Sequence, residues 1–584
     1  MTATPRPSAS VRSSVLLIVV VLAPLWLIGI LDRGLWTPDE PREADIAWRM
    51  SWQSDRTLPE LAGSPFLEKP PLSYWLSGGA VALFGDSAAA ARAPNLLYAV
   101  VASLATFALA FAMLGETTAA VIAALIAASA LTAWRVTVWL APDACLLAAS
   151  ALALLGAWLG YRAPPGRAKA LGYALMHAGA AAGFMAKSAP GWLVPGLALL
   201  AVILWERRFG ELRRWELYAG LALQAAIIGP WIAQVALGAG GPDALRTLFW
   251  NNLVGRFMHI AVPVALDYTA GHRNRFGKYF LELPLYLLPW TLIVAAALAR
   301  AWRHARTAAP AGTPWRFALA ASLPLLALLS LAATARDVYA APALLGFALL
   351  AGLWAAAAQR APGRLDHLAL RATRWLVALL VALLVLALAV FAICGAGLCA
   401  LAAIAALPAC AVALGLAARA QRRGDFGRSL IFTYGAWAAA VCCAALAIFP
   451  VVDRWQNLPA LAARIRADTA YEHLALLDPD ETTIAMLDHG FQTPLAVLTT
   501  GGQRPADTVS EWFRAHGRQA RILILLPGHA GGKLTRVLGR LHRLPAPDDG
   551  VAGGLAASGA AVLVGRYELP QGRRYALMGP PPPS

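Results

Sequence analysis

The sequence is poor in charge, and its acidic residues are outnumbered by its basic ones. Only 14% of its 584 residues are charged, with 32 acidic and 49 basic side chains, whereas 59% are hydrophobic. A soluble globular protein is roughly half apolar and about one quarter charged. The composition therefore excludes an ordinary soluble chain and indicates a membrane protein.

Other patterns are missing as well. The six cysteines show no CxxC spacing, which argues against the common zinc and redox motifs. The apolar runs lack period-two alternation, and no internal repeat is visible. Because a membrane-spanning backbone must satisfy its hydrogen bonds within the protein, these absences favour a bundle of α-helices.

Apolar runs of about twenty residues predict thirteen transmembrane helices. These runs lie near residues 14–31, 93–113, 117–135, 141–160, 170–186, 190–205, 216–236, 282–300, 316–334, 339–358, 375–394, 398–418 and 429–449. Arginine and lysine gather in short connections at alternate ends of the runs. Such connections are retained in the cytoplasm, so the N-terminus is predicted inside and the C-terminus outside. The basic excess is thus a feature of topology and not a nucleic-acid surface.

The last part of the chain has a different character. Residues 455–584 are more polar, and the runs ETTIAML, RILILLP and AAVLVGRYEL read as strands. The segments LPALAARIRADTA and TVSEWFRAHG have helical spacing. The sequence therefore predicts a transmembrane domain over 1–454 and a small α/β domain outside the membrane over 455–584.

Charge is concentrated in the first long outer connection, residues 32–92. Asp39 and Glu40 could hold a metal, accept protons or orient a hydroxyl, and Arg42 could bind an anion. The segment PREADIAWRMSWQSD has helical spacing and predicts a helix along the membrane surface, with Trp48 and Trp52 at headgroup level. Two alternatives stay open: the whole connection is an ordinary solvated loop, or its helix is an amphipathic cap that binds no ligand.

The same connection contains the segment LEKPPLSYW. Two prolines stiffen the chain behind Glu68 and Lys69, so these side chains are presented in a fixed direction. Lys69 is a candidate for binding phosphate, and Glu68 is a candidate metal ligand or acid–base group. The alternative is a rigid turn at the membrane entry with no ligand.

Further polar residues lie at the outer ends of predicted spans. Asp143 either caps its helix or faces the same cavity as Asp39. Lys187 lies between two spans, beside glycine and proline, and suits a phosphate or carboxylate partner; a snorkelling lysine is the competing interpretation. Arg336 and Tyr339 enter at the same outer face.

The second long outer connection, 238–281, is rich in basic and amide side chains that suit an anionic lipid headgroup. They are Asn251, Asn252, Arg256, His259, His272, Arg273, Arg275 and Lys278. His259 or His272 could ligate a metal together with Glu68. Both long connections fall on the outer side, so together they predict an outward-facing active-site cavity.

At these residues the chain resembles the polytopic glycosyltransferases that use polyprenyl-phosphate sugars. This group includes the bacterial 4-amino-4-deoxy-L-arabinose transferases that act on lipid A, and the protein O-mannosyltransferases. The resemblance covers residues 14–450 and is carried by PDE–P–R, EKPPLSYW, the position of Asp143, AKSAPGW, GRF…GHRNRF and RDVYAAP. The chain departs from the family pattern at Pro41 and Glu43, which replace glycine and tyrosine, and at Ser188, which replaces a glycine.

The resemblance implies a mainly α GT-C fold with juxtamembrane helices and a C-terminal periplasmic domain in the bacterial inner membrane. It implies inverting transfer of a sugar from undecaprenyl phosphate to an envelope acceptor, lipid A above all, by a monomer surrounded by membrane lipids. Asp39 would be the leading catalytic carboxylate, with Glu40 and Asp143 beside it. Glu68 and His272 would be the metal pair, for zinc, magnesium or manganese. The donor phosphate would be held by Lys69, Arg42, Lys187, Arg256, Arg336 and Tyr339.

Two other classes of function fit parts of the sequence. A lipid-linked sugar flippase would also need a cationic cavity, but transporters usually place polar groups near mid-membrane, and here they cluster at one face. A scaffold that binds an envelope partner through the C-terminal domain would need none of the outer charges.

Overall fold

The computed structural model describes residues 9–238, 240–251, 254, 274–308, 310–391, 404, 406–456, 458–468, 471–528 and 548–582. The chain forms two compact units. The helical unit comprises Met1–Asp32, Gln53–Pro59 and Phe66–Ile448. The mixed unit comprises Arg33–Trp52, Glu60–Pro65 and Phe449–Ser584. Each unit is therefore discontinuous in sequence, whereas the sequence pattern places a single boundary after residue 454.

Helices make up most of the described chain. They are α1 (Ala9–Ile30), α2 (Asp39–Trp52), α3 (Leu72–Phe84), α4 (Ala88–Arg92), α5 (Pro94–Leu114), α6 (Thr117–Ser129), α7 (Leu131–Val138), α8 (Pro142–Arg162), α9 (Arg167–Lys187), α10 (Pro190–Glu206), α11 (Trp215–Leu237), α12 (Gly241–Leu245), α13 (Lys278–Tyr286), α14 (Thr291–His304), α15 (Thr313–Ala320), α16 (Leu323–Leu331), α17 (Ala341–Arg360), α18 (Arg364–Phe391), α19 (Ala406–Arg422), α20 (Phe426–Gln456), α21 (Leu458–Asp468), α22 (Glu481–Phe491), α23 (Pro505–His516) and α24 (Val551–Ala557).

Among the described residues, eight helices are long and apolar enough to span a membrane. The number rises to nine when α6 and α7, which meet at a bend of 64°, are taken as one span. The chain is thus a multi-pass membrane protein, but the predicted number of thirteen spans is not confirmed. Two of the predicted runs do not form long single helices: α10, over the run at 190–205, has only 17 residues, and the run at 282–300 is divided into α13 and α14.

Close helix contacts in the helical unit depend on glycine. A Cβ atom added at Gly156 of α8 would lie 2.1 Å from the backbone nitrogen of Met176 in α9. One added at Gly191 of α10 would lie 2.1 Å from the backbone nitrogen of Phe184 in α9. Small residues let membrane helices pack backbone to backbone. The chain can therefore reverse within residues 187–189, and this reversal positions Lys187.

The mixed unit contains a five-stranded sheet. A separate two-stranded hairpin is formed by β1 (Glu60–Leu61) and β2 (Ser64–Pro65). The sheet strands are β3 (His473–Leu477), β4 (Ala496–Leu498), β5 (Ala520–Leu525), β6 (Val562–Glu568) and β7 (Arg574–Gly579). Their order is β4-β3-β5-β7-β6. The first three are parallel, and the pairs β5–β7 and β6–β7 are antiparallel.

Alternate residues of the central strands face opposite sides of the sheet. Leu474 and Leu476 join one apolar core together with residues of α21 and α22. Ala475 and Leu477 join the other, together with residues of α23 and α24. This alternation follows from the two-residue period of a strand. The predicted C-terminal α/β domain is therefore present as a three-layer arrangement.

One strand prediction in this unit is wrong. The segment ETTIAML forms the first part of helix α22 and not a strand. Asp480 precedes it and accepts a hydrogen bond at 3.0 Å from the backbone N–H of Thr483, which is a helix N-cap. The buried Ile484 and Leu487 are three residues apart, so they lie on one helical face.

The helix predicted from the first outer connection is confirmed as α2, but its expected surroundings are not. Most of its residues are buried within the mixed unit. Trp48 is only 7% exposed and packs edge-to-face with His489, at 6.3 Å between ring centroids. Trp52 is the exposed tryptophan of this helix. The helix is therefore part of a protein core along most of its length, and Trp48 does not face outward.

Candidate functional site

A cavity of about 140 Å³ lies within the helical unit. Its wall is mainly apolar, with a few charged and hydroxyl-bearing side chains. Its polar lining comprises Glu68, Lys69, Lys187, Ser188, Thr334 and Tyr339. The structure thus brings together four residues that the sequence singled out separately, namely Glu68, Lys69, Lys187 and Tyr339. A mostly apolar cleft with a few convergent polar groups is the usual form of a ligand site.

Lys187 is fixed by two contacts at the C-terminal end of α9. Its ammonium group forms an ion pair with the carboxylate of Asp143, which lies in the first turn of α8. The same nitrogen lies 4.6 Å from the centroid of the Tyr339 ring. Both side chains of the ion pair keep 11% exposure. The lysine is therefore held in place and still reaches the cavity, so simple snorkelling does not describe it.

The residue after Lys187 has an unusual backbone conformation. Ser188 has φ 61° and ψ −138°, in a region that glycine adopts more readily than other residues. This is the position where the resembling family has glycine. The buried Ser188 hydroxyl has no hydrogen-bond partner within the described part of the chain. A buried polar atom without a partner at a cavity wall is a place where a ligand would bind.

The segment that carries Glu68 and Lys69 precedes helix α3, which the sequence analysis did not predict. Pro70 and Pro71 are buried just before this helix. The Lys69 ammonium lies 5.5 Å from the centroid of the Phe66 ring, and Phe66 in turn packs edge-on against Tyr74 of α3. Helix α3 has only 13 residues, which is too short for a sequence search based on spans.

The apolar wall of the cavity includes three aromatic rings that the sequence reasoning passed over, those of Phe184, Trp192 and Phe249. Phe184 and Trp192 stack with ring centroids 4.2 Å apart. Phe184 also stacks on Phe249 at 5.7 Å. Phe184 and Trp192 flank Lys187 in GFMAKSAPGW, so the sequence of this motif could have predicted aromatic rings close to the lysine. They add apolar surface to a cavity whose lining also includes Glu68, Lys69 and Lys187.

Arg336 and Tyr339 lie in the short connection between α16 and α17 in the helical unit. Tyr339 belongs to a 3₁₀ turn, Asp337–Ala340, directly before α17. The backbone carbonyl of Arg336 accepts a hydrogen bond at 3.1 Å from the hydroxyl of Tyr279. Tyr339 therefore lines the cavity as the sequence indicated. The phosphate-binding role of Arg336 remains a prediction.

The residues of the PDE–P–R motif belong to the mixed unit. Asp39 and Glu40 lie in the first turn of α2. Glu40 is fully buried and forms an ion pair with Arg33, and it accepts a hydrogen bond at 2.9 Å from the backbone N–H of Trp36. Arg42 forms an ion pair at 2.6 Å with Glu481. These contacts give Glu40 and Arg42 structural partners, and the catalytic role of Asp39 remains a prediction.

A second charged group in α2 was missed by the sequence reasoning. Asp45 and Arg49 are one helical turn apart, with 3.0 Å between Nε and Oδ2, and Arg49 also pairs at 2.5 Å with Asp488 of α22. Asp45 accepts a further hydrogen bond at 2.8 Å from the backbone N–H of Ala62. Two carboxylates thus share one guanidinium in a nearly solvent-free place.

Burial governs the protonation of these carboxyl groups. It raises the pKa of Asp488 to about 6, with a further contribution from nearby Asp45, against the opposing effects of the Leu495 amide and Arg49. Burial likewise raises the pKa of Asp45, although Arg49 and the Ala62 amide oppose it. Desolvation disfavours the charged form of a carboxylic acid, which is why both shifts are upward.

Several predicted residues lie outside the described part of the chain. They are Asn252, Arg256, His259, His272 and Arg273. Across the described residues, no group of three His, Cys, Asp or Glu side chains is placed to hold a metal ion. Glu68 is in the cavity wall, but the proposed partner His272 is not described. The metal pair remains a prediction.

Comparisons with known sequences agree with these observations. The model of the dolichyl-phosphate-mannose-protein mannosyltransferase family matches residues 68–233. An undecaprenyl phosphate-alpha-4-amino-4-deoxy-L-arabinose arabinosyl transferase of Pseudomonas fluorescens is 30% identical over 58% of this chain and 55% of its own. The corresponding transferase of Edwardsiella ictaluri is 30% identical over 49% of this chain and 50% of its own. The chain spans about half the length of the curated relatives it matches.

The fold extends the similarity along the whole chain. The crystal structure of ArnT from Cupriavidus metallidurans bound to undecaprenyl phosphate matches with a TM-score of 0.73 at 19% identity, over 97% of this chain and 98% of that one. The apo form of the same protein gives a TM-score of 0.72. The mainly α GT-C fold with a C-terminal α/β part is therefore confirmed, and so is the family resemblance stated by the sequence motifs.

Proposed function

We propose that this chain, which is similar in fold and motifs to the 4-amino-4-deoxy-L-arabinose transferases, is an inverting membrane glycosyltransferase. It moves a sugar from an undecaprenyl-phosphate donor to an envelope acceptor, with lipid A as the preferred acceptor. The N-terminus lies in the cytoplasm and the C-terminal part lies in the periplasm of a bacterial inner membrane. The transferase acts as a monomer.

The observation that carries this proposal is the cavity of the helical unit. Its lining includes Lys69 and Lys187 together with Glu68, and most of the remainder consists of aromatic and aliphatic side chains. A polyprenyl phosphate has the same two parts, an anionic headgroup joined to an apolar chain. Lysine acts as a compact cation toward phosphate, and the free Ser188 hydroxyl adds a hydrogen-bond donor at the same wall.

The reaction breaks the bond between the sugar anomeric carbon and the donor phosphate oxygen. The electron pair stays with the phosphate, which leaves as undecaprenyl phosphate, and an acceptor oxygen forms the new bond from the opposite face. Lys69 and Lys187 stabilise the negative charge on the leaving phosphate. Fixed cations near a developing charge are worth more in a water-poor cavity than in water.

The acceptor side of the reaction is assigned to carboxylates. A lipid A phosphate is already ionised, so it attacks without a strong base. Asp39 then orients the acceptor or stabilises the oxocarbenium-like transition state. Asp143 positions Lys187 through the ion pair and does not need to contact the sugar. If a divalent metal is bound, Glu68 is the described residue that would ligate it.

The test is mass spectrometry of lipid A and envelope glycans from cells with and without the protein. A mass increase that requires the protein identifies both the sugar and the acceptor. Lys187→Gln should lower transfer by about 100-fold, the usual cost of removing one stabilising group from a charged transition state. Asp39→Asn should abolish transfer while the protein still inserts and folds.

The matched control is Arg423→Gln, which removes one positive charge from an exposed position far along the same unit. It should leave transfer unchanged. Normal transfer by Lys187→Gln would show that the donor phosphate binds at another site. Normal transfer by Asp39→Asn would show that Asp39 has no catalytic role. A protein that changes no envelope mass but moves the lipid-linked sugar across vesicles would instead be a flippase.

A further inference from the structure

A second cavity lies at the other end of helix α17 from Tyr339. Its volume is about 560 Å³, and it is formed where α14 ends and α18 begins. Tyr339 comes just before α17 and Ala361 just after it, and α17 has 20 residues. A helix of this length is about 30 Å long, so the two cavities are separated by roughly the thickness of a hydrocarbon core.

The second cavity is lined by basic side chains. Arg300, Arg303 and His304 come from the last turns of α14, and Arg364 opens α18. Asp366 is the acidic residue that faces them. With histidine neutral, three arginines and one aspartate leave an excess of two positive charges.

Asp366 is fully engaged and neutralises one arginine. It pairs with Arg300 through two hydrogen bonds, one of which is 3.1 Å from Nε to Oδ1. It also accepts hydrogen bonds at 2.7 Å from the indole of Trp354 and from the backbone N–H of Gly363. This network fixes one wall of the cavity and makes it a preformed site.

The other two arginines are different. Arg303 and Arg364 are exposed, and neither side chain has a hydrogen-bond or ion-pair partner among the residues that the structure describes. Both residues line the cavity, Arg303 from α14 and Arg364 from α18. Guanidinium groups present forked donors that match a phosphate diester, and two of them in the lining of one cavity suit one anionic group.

Two large apolar side chains lie at or next to this cavity: Leu365 lines it, and Trp302 directly precedes the lining residue Arg303. Trp302 of α14 and Leu365 of α18 are each 63% exposed. Further along α18, exposed apolar side chains recur at spacings of three, four or seven residues, so they lie on one face of the helix and form one stripe that leads away from the cavity. The stripe comprises Leu365, Leu368, Trp375, Leu379, Leu383 and Leu386. A soluble anion would make no contact with this stripe, whereas the acyl chains of a lipid would lie along it.

We propose that the α14–α18 cavity binds the phosphate headgroup of an anionic membrane phospholipid, with Arg303 and Arg364 as its ligands and the α18 stripe as the track for its acyl chains. Basic pockets between transmembrane helices are the usual sites for such headgroups. This proposal does not depend on the transferase activity. It concerns a different cavity, and its test measures lipid binding alone.

The test uses the full-length protein purified in detergent, with native mass spectrometry of retained lipid. Phosphatidylglycerol, phosphatidylcholine and inorganic phosphate are the three probes. The protein should retain phosphatidylglycerol, and Arg303→Gln/Arg364→Gln should weaken this binding roughly 30-fold, about fivefold for each basic residue near an anionic lipid. Phosphatidylcholine and inorganic phosphate should bind weakly to every variant.

The charge-matched control is Arg213→Gln/Arg214→Gln, which removes two exposed arginines outside the cavity. It should retain phosphatidylglycerol as the parent does. Equal loss in both double variants, or no loss in the cavity variant, would overturn the proposal. Binding of inorganic phosphate as tight as that of phosphatidylglycerol would also overturn it, because the site would then be a simple anion site. If the double variant does not fold, the single variant Arg364→Gln is measured in the same way.

Discussion

The two units of the molecule use the same residue types for opposite purposes. In the helical unit, Asp143 and Lys187 form a one-to-one ion pair in which each side chain is 11% exposed, and Lys187 lies in a cavity wall. In the mixed unit, Asp45 and Asp488 share Arg49, and none of the three side chains is more than 3% exposed. The first group can meet a ligand, whereas the second cannot without unfolding its surroundings.

The charge balance of the two groups differs as well. The ion pair of Asp143 and Lys187 has no net charge. The carboxylate therefore compensates the charge of the lysine while the lysine lines the cavity. The group in the mixed unit carries one excess negative charge in a water-poor place. Such a group takes up a proton more readily than exposed carboxylates do. Solvent access and charge balance, and not residue type, therefore separate a candidate binding group from a structural one.

The largest effect is expected from Arg49→Met. Removing the shared cation leaves two carboxylates buried without compensation, and the loss of one partner of a buried ion pair costs about 3–5 kcal/mol. We expect the free energy of unfolding of the mixed unit to fall by this amount at neutral pH and by less at pH ~5, where carboxylates in this place take up protons. Thermal unfolding of the full-length protein in detergent measures it.

The control for this variant is Arg514→Met, which removes an exposed arginine of α23. It should change stability by less than about 0.5 kcal/mol. A loss of stability in Arg49→Met that is the same at both pH values would contradict the assignment of the cost to unpaired carboxylates.

An intermediate effect is expected from Asp488→Asn, measured as the dependence of stability on pH. The pKa of Asp488 is raised to about 6 in the folded protein, from an ordinary value of 3.8. The folded state therefore binds this proton more tightly than the unfolded chain does, and stability falls as the pH rises from about 4 to about 6. The asparagine variant should lose this fall, which is on the order of 2 kcal/mol.

Asp507→Asn is the comparison for the pH experiment, because Asp507 is exposed on α23. Its profile should follow that of the parent. If the stability of Asp488→Asn falls with rising pH as much as that of the parent does, another group of the mixed unit is responsible for the pH dependence.

The smallest effect is expected where an ion pair is open to solvent. Arg135 and Asp337 form such a pair in the helical unit, with side chains 48% and 37% exposed. Arg135→Gln should lower stability by about 0.5 kcal/mol, and the difference should vanish at high salt. A double-mutant cycle with Asp337→Asn measures the coupling, and a coupling energy above about 2 kcal/mol would break the trend of ion-pair strength with burial.

Part of the candidate site was predictable because the chain is so apolar. Glu68, Lys69, Lys187 and Tyr339 lie at the ends of apolar runs, and an ionisable group in such a place is costly unless it has a function or a partner. The structure places these four side chains around one cavity. Their grouping could be expected from the topology, since all were assigned to one side of the membrane.

Other assignments failed for reasons that local sequence does not contain. The run ETTIAML has a strand-like composition, but the cap from Asp480 decides for a helix. Helix α2 has an amphipathic pattern, yet it is buried along most of its length. A pattern of apolar and polar residues shows which face of a helix is buried, but it does not identify the surface that covers it.

The sequence by itself determined the membrane class, the helical bundle, the C-terminal α/β part and the residues able to bind a phosphate, because composition and apolar run length are local properties. Only the tertiary structure decided which charges meet. It pairs Lys187 with Asp143 across 44 positions and Arg49 with Asp488 across 439 positions. Over such separations, partner choice depends on packing: α9 packs against α8, which brings Lys187 to Asp143, and α2 packs against α22, which brings Arg49 to Asp488.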